Sequence, residues 1–308
     1  MPSPSPRKRH PLRNATLLLV LLGLAGYTVY HFAANSPAGP GCTVTAEGNA
    51  MDLTQEQAGN AATIAAVAAS RGLPERALTI ALATSLQESR LRNLHGGDRD
   101  SVGLFQQRPS QGWGTAAQIL DPVYASNEFF DSLVKIKGYS RLPLTVAAQR
   151  VQRSGYPQAY AKHEADATLL TAALTGRANG ALSCTTGADT PDSAGGGAGS
   201  PAQVTARLTR EFGTAVRPRK DPAPRTVAVP AAAAGAAADD GTLRGWEVAQ
   251  WAVAHAHDLK IEQVTYGDAR WLAAQSGKGW QRQKATTAKG GAQSDGGGPA
   301  LVRITVAP

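Results

Sequence analysis

Glu88 is the residue best placed in this sequence to move a proton. It ends a helix-like run that carries Leu78, Ala81, Leu82, Ser85 and Leu86, and Ser89 follows it directly. A polar, Gly-rich loop runs from Asn93 to Ser101, and an apolar turn, Val102-Gly103-Leu104-Phe105, then delivers two amides, Gln106 and Gln107. A carboxyl at the end of a buried helix, facing such a loop, is held partly out of water; its pKa rises, and it can protonate a leaving oxygen. Taken alone, a Glu near a helix end is an ordinary solvated residue, so the spacing to the later groups separates the two readings. The loop His95–Asp100, with Asp98 and Asp100, is either a solvated turn or one wall of a cleft. Trp113, between two glycines in the irregular stretch Pro109–Gly114, either stacks on a sugar ring or anchors its own loop.

That spacing resembles a known family. Glu88-Ser89, then Asn93, then Ser101-Val102-Gly103-Leu104-Phe105-Gln106 resembles the Glu-Ser … Gly-Leu-Met-Gln signature of lytic transglycosylases and goose-type lysozymes. Leu120-Asp121-Pro122 with Tyr124, Phe129 and Leu133 is similar to the helix that follows in that family. The resemblance spans Leu53 to Leu174, less than half of the chain. It implies a mainly α, lysozyme-like (α+β) domain that breaks the β-1,4 bond between N-acetylmuramic acid and N-acetylglucosamine in peptidoglycan. It also implies that Glu88 alone serves as acid and then base, with Ser89 and Gln106 orienting it and the sugar and with Leu104 and Phe105 as the apolar wall. Ser101 and Trp113 join the substrate-binding candidates.

Two departures from the family pattern matter. Goose-type lysozymes admit water with the help of acids in the hairpin and just past the glutamine; here Asp98 and Asp100 lie in the loop, but Arg108 follows the glutamines. This tilts the expectation toward transglycosylation. The family also carries an Ala-Tyr-Asn segment whose Tyr contacts the catalytic Glu. The comparable stretch here, Ala147-Ala148-Gln149-Arg150-Val151-Gln152, lacks both Tyr and Asn, leaving Gln149, Gln152 or Tyr160 to stand in.

The elements that must position these groups are legible as helices. Thr54 with Gln57 three residues on reads as a capping box, opening a helix with Ala61, Ile64, Ala65, Ala68 and Ala69 at helical spacing. Pro74 suits the start of the next, which leads to Glu88. Asp121-Pro122 opens a helix through Ile136; Leu144–Arg153 and Pro157–Leu174 are two more, Tyr160 lying near the start of the last.

The chain of 308 residues accommodates two modest domains with tails. The reading is a basic tail (1–16), a transmembrane signal anchor (17–34), a tether (35–49), the lysozyme-like domain (50–185), a Gly/Ser-rich linker (186–202), a Pro/Ala-rich connector with a short helix at Val204–Phe212 (203–240) and a small α+β module (241–308). In that module Leu243 to Leu259 fits an amphipathic helix, and Ile261–Tyr266 and Ala300–Ala307 alternate like strands, the latter after a polar run, Lys289–Pro299. The apolar run Leu17–Ala34 has about the minimum length for a bilayer span. Basic residues precede it, which places the bulk of the chain outside a cell membrane; cleavage and secretion is the alternative. Cys42 and Cys184, the only two cysteines, flank the family-like region; in an oxidising compartment they form a clasp, otherwise they are free thiols.

A net charge of +8 favours acidic partners, including an anionic cell wall. No zinc-finger spacing, basic heptad region or aromatic-basic RNA signature is present, which argues against nucleic acid. His255 and His257, two apart on a helix, point to different faces and do not share a metal; no cofactor motif stands out. Two functions remain in view: a membrane-anchored enzyme cutting peptidoglycan glycan strands, and a non-catalytic glycan-binding scaffold whose C-terminal module meets an envelope protein.

Overall fold

The capping box at Thr54 forms as the sequence requires. Thr54 Oγ1 accepts from the Gln57 N–H at 3.2 Å and the Gln57 side chain accepts from the Thr54 N–H at 2.8 Å, which fixes the start of α1 (Gln55–Ser70). The alanine stripe predicts one buried face. The helix is instead buried on nearly every side, because Ala62, Ala66 and Val67 are covered as well. A helix that is small and apolar all round is a central helix, and α1 packs against helices from both halves of the chain. The coordinates come from a computed structural model that describes residues 40–154, 158–186, 197–231, 238–283 and 301–308. The anchor at 17–34 and the polar run at 289–299 lie outside them. Among the described residues no helix is long and apolar enough to cross a membrane.

Next in order is α2 (Glu75–Ser89), with Pro74 at its N-cap. It ends in a Schellman-type arrangement: Arg90 N–H bonds Leu86 O and Leu91 N–H bonds Ser85 O, with Arg90 and Leu91 both left-handed. After α3 (Ala116–Ile119), α4 (Pro122–Val134) begins on Asp121, whose side chain caps Val123 N–H. Helix α5 covers Leu144–Gln152. The helix expected from Pro157 begins later: α6 runs Glu164–Leu174, preceded by a 3₁₀ turn at Ala161–His163. Glu164 and Asp166 in its first turn favour that start, since carboxylates sit well at the positive end of the helix dipole.

Three short strands, β1 (Gly41–Ala46), β2 (Asn49–Leu53) and β3 (Leu182–Thr185), pair antiparallel in the order β2-β1-β3. Cys42 lies directly opposite Cys184 and the two form a disulfide. The rest of the chain adds α7 (Pro201–Phe212), β4 (Arg219–Lys220), β5 (Thr226–Pro230), α8 (Ala238–Ala254), β6 (Ile261–Tyr266), β7 (Ala269–Leu272), β8 (Gln281–Arg282) and β9 (Leu301–Val306). The six strands form one antiparallel sheet, β4-β5-β9-β6-β7-β8. Val227, Val229, Val264, Trp271, Val302 and Ile304 line its covered face, against which α8 packs.

The described part of the chain is thus a mixed α+β structure with one continuous hydrophobic core from Val44 through α1 to Ile304. Polar bonds stitch it together. Gln250 on α8 accepts from Leu182 N–H and donates to Ala173 O and Ala178 O. Glu211 on α7, fully buried, accepts from Thr63, Trp251 Nε1 and Arg207 and stands 3.6 Å from His255 Nε2. Burial alone would raise its pKa, but His255, Arg207 and Trp251 outweigh that and hold it at about 2. A carboxyl depressed in this way adds stability above its ordinary range, and that stability is lost as pH falls toward 2.

Two outcomes are expected. Glu211→Ala strands Arg207 and the indole N–H without their acceptor and costs about 3–5 kcal/mol, read from urea denaturation. The disulfide closes a loop long enough to contribute about 4–5 kcal/mol in the chain-entropy picture, so a reductant lowers Tm in the native protein and leaves Cys42→Ser/Cys184→Ser unmoved.

Candidate active site

The C-terminal turn of α2 presents Ser85, Glu88 and Ser89. Ser85 Oγ and Ser89 Oγ both donate to Leu104 O, at 3.1 and 2.8 Å, so the apolar turn is seated on the last turn of the helix. Phe105 is fully buried and stacks on Phe129 with ring centroids 4.6 Å apart. Its carbonyl accepts from Gln152 Nε2 on α5 at 2.7 Å. Val102 and Gln107 exchange backbone bonds at 3.0 and 3.1 Å, closing a tight loop in which Gly103 (φ 81°) and Gln106 (φ 47°) are left-handed. A Cβ on Gly103 would meet Ile119 O at 2.7 Å, so no other residue fits there. The Gln106 amide folds back to donate to Gly103 O and lies over Gly97, where a Cβ would stand 1.7 Å from its oxygen.

Glu88 is half-buried beside this turn. The fully buried Tyr160 donates its hydroxyl to Glu88 Oε1 at 2.7 Å, and the Gln152 amide hydrogen-bonds the same carboxyl. Burial raises the Glu88 pKa; the bonds from Tyr160 and Gln152, which favour the ionised form, oppose the rise without cancelling it. The Tyr160 hydroxyl is itself pushed well above the ordinary phenol range by burial and by the adjacent carboxylate.

The two acids of the loop are otherwise engaged. Asp100 accepts from Ser110 N–H at 2.8 Å, Arg108 Nε at 2.7 Å and Ser110 Oγ at 3.0 Å, and these hold its carboxyl far below the usual range. The Asp98 side chain is 91% exposed, with only Arg99 at 4.0 Å. Arg108 therefore neutralises one of the acids that a water-activating mechanism would draw on.

The sequence-derived candidates distribute unevenly about Glu88. Tyr160 and Gln152 touch it. Gln149 Nε2 donates to Ser154 O at 2.5 Å, and Ser154 hydrogen-bonds Tyr160, so Gln149 reaches the acid only through two intermediaries. Ser89 is turned to Leu104 O; Ser101, buried, donates to Asp98 O at 2.7 Å. Both brace the site. Gln106 lines the turn. Trp113 packs half-buried on the core edge, its carbonyl accepting from Tyr124. Sequence reasoning missed Ser154, which belongs to no motif and which only the fold brings to Tyr160; His163 Nε2 lies 3.2 Å from Oε1 of Gln87, the residue before the acid in the chain.

No protein-family model and no curated protein sequence matches this chain. Among the described residues no cluster of His, Cys, Asp and Glu could hold a metal ion.

A buried carboxyl with a raised pKa works against folding once it ionises. Below its unfolded-state value both states are protonated and the group contributes nothing; as pH rises through the window up to the folded value the native state loses stability. Glu88→Gln is therefore expected to stabilise the protein by about 0.5–2 kcal/mol at pH 7 and to have no such effect at pH 4, measured as Tm at the two pH values. Gly97→Ala should displace the Gln106 amide from Gly103 O and leave Tm nearly unchanged, seen as a shift of the Gln106 side-chain amide resonances in NMR spectra.

Proposed function

We propose that this chain is a peptidoglycan-cleaving enzyme of the lytic transglycosylase kind, acting on the bond between N-acetylmuramic acid and N-acetylglucosamine. The observation that carries the reading is Glu88, a carboxyl whose pKa burial raises and which Tyr160 at 2.7 Å and Gln152 hold by hydrogen bonds. Tyr160 takes up the contact that the family's Tyr supplies, reaching it from the turn before α6 instead of from α5, where only Gln149 and Gln152 stand.

The reaction uses one group twice. Glu88 gives its proton to the bridging oxygen as the C1–O4 bond breaks and N-acetylglucosamine O4 leaves as a hydroxyl. The resulting carboxylate then takes the proton of the muramic acid C6 hydroxyl as O6 bonds to C1, closing the 1,6-anhydro ring. Tyr160 and Gln152 stabilise the carboxylate between the two steps, so the acid is not too weak to give up its proton. Neutralised Asp100 and solvated Asp98 leave water without a placed base, which favours the internal hydroxyl. The cross-strand disulfide and the apolar run 17–34 support a membrane-anchored enzyme facing an oxidising, extracytoplasmic space.

The full chain in neutral detergent, incubated with purified peptidoglycan, should release anhydro-muropeptides identified by mass spectrometry. Glu88→Gln should reduce release by about 10²–10⁴-fold. Activity should fall as pH rises through the raised Glu88 value, because the acid form is needed. Reducing-end muropeptides would identify a hydrolase instead; binding without release in both proteins would leave a glycan-binding scaffold.

A further inference from the structure

The six-stranded sheet has a second face, opposite the one covered by α8, and its registers place one row of side chains across it. Arg219 pairs with Ala228, Ala228 with Arg303, Arg303 with Thr265, Thr265 with Arg270, and Arg270 with Gln281. Directly opposed residues in antiparallel strands share a face, so Arg219, Arg303 and Arg270 stand on the same side at every second strand. With strands about 4.8 Å apart, the arginines repeat at about 10 Å. Around them the row and its neighbour offer hydroxyls and amides, from Thr265, Gln281, Thr305 and Gln263.

The charges are poorly neutralised from within. Arg303 is anchored by Asp221 at 3.1 Å and keeps its side chain 51% exposed. Arg225 pairs with Glu262 at 3.2 Å. Among the described residues Arg219 and Arg270 have no ion-pair or hydrogen-bond partner, and the Arg270 Nε is buried without an acceptor. Arg217, just before the edge strand, is exposed as well, whereas Lys220 pairs with Val227 and belongs to the opposite face. Cations on an edge strand guard against edge-to-edge pairing, but that accounts for β4 alone. Arg303 and Arg270 lie inside the sheet, where no edge needs guarding.

We infer that this face binds a linear polyol-phosphate polymer of the cell wall, its phosphodiesters taken by the guanidinium forks of Arg219, Arg303 and Arg270 and its hydroxyls by the threonines and glutamines between them. Guanidinium matches phosphate bidentately. The row carries no aromatic side chain on which a base could stack, which disfavours a nucleic acid. The choice of a wall polymer rests on the function proposed above; the arginine row itself does not.

Binding of purified poly(glycerol phosphate) to the full chain in neutral detergent, followed by calorimetric titration at low and high salt, tests this. Wild type should bind and weaken with salt. Arg219→Gln/Arg270→Gln, which breaks no internal contact, should lose about tenfold or more in affinity with Tm unchanged, and an uncharged N-acetylglucosamine oligomer should not compete. Unchanged affinity in the double variant overturns the proposal, as does equal competition by oligothymidylate of matched charge, which would make the face a nucleic-acid or general anion surface. Glu88→Gln should leave this affinity intact. Polymer binding that depends on the arginines in a protein that releases no muropeptides would sink the enzyme reading while this one stands; release without such binding would do the reverse.

Discussion

An ionised carboxylate at the end of α2 is opposed twice over: burial strips its water, and the carbonyl end of the helix dipole repels it. No basic residue in the last turn relieves that. Holding Glu88 in such a place is the constraint from which the rest of the site follows. Charge is costly there, which raises the pKa of the carboxyl, and the group remains usable because Tyr160 and Gln152 hydrogen-bond the charge once it forms. Either donor alone would leave the carboxylate under-solvated; placing both on it requires the turn before α6 and the end of α5 to converge on α2.

That convergence depends on small residues and shared carbonyls. Leu104 O receives two serines from α2, and Phe105 O receives Gln152 from α5. The same short turn is thereby registered against two helices, and the catalytic candidate against both. The left-handed residues nearby, Arg90, Leu91 and Gln106, each cost about 1–2 kcal/mol outside glycine, a strain that the surrounding packing must outweigh. Behind them the alanines of α1 let α2, α4, α7 and α8 approach closely, and the Glu211 cluster fixes α7 and α8 to α1 from the far side.

Local features of this arrangement were readable from sequence. The capping box at Thr54, the Asp121 cap and the strands at Ile261–Tyr266 and Leu301–Val306 are set by neighbouring residues, and each formed where its chemistry placed it. The cysteine clasp likewise formed. What sequence could not provide came from long-range pairing. Strands β4, β7 and β8 are too short for alternation to register, and β5 hides in a Pro/Ala stretch whose composition reads as extended chain. Tyr160 could be named as a substitute but not placed, since its reach to Glu88 depends on a 3₁₀ turn where a plain helix was expected. Ser154 carries no signal at all until Tyr160 is in position.

The disulfide joins the first strand to the third, and every residue of the site, from Ser85 to Tyr160, lies between its two ends. In covalent terms the site is a closed ring with the two termini as tails. A protease that cuts any loop within that ring opens it without dividing the molecule: the fragments remain one species until the bond is reduced. A copy nicked in this way would keep both halves of the site joined.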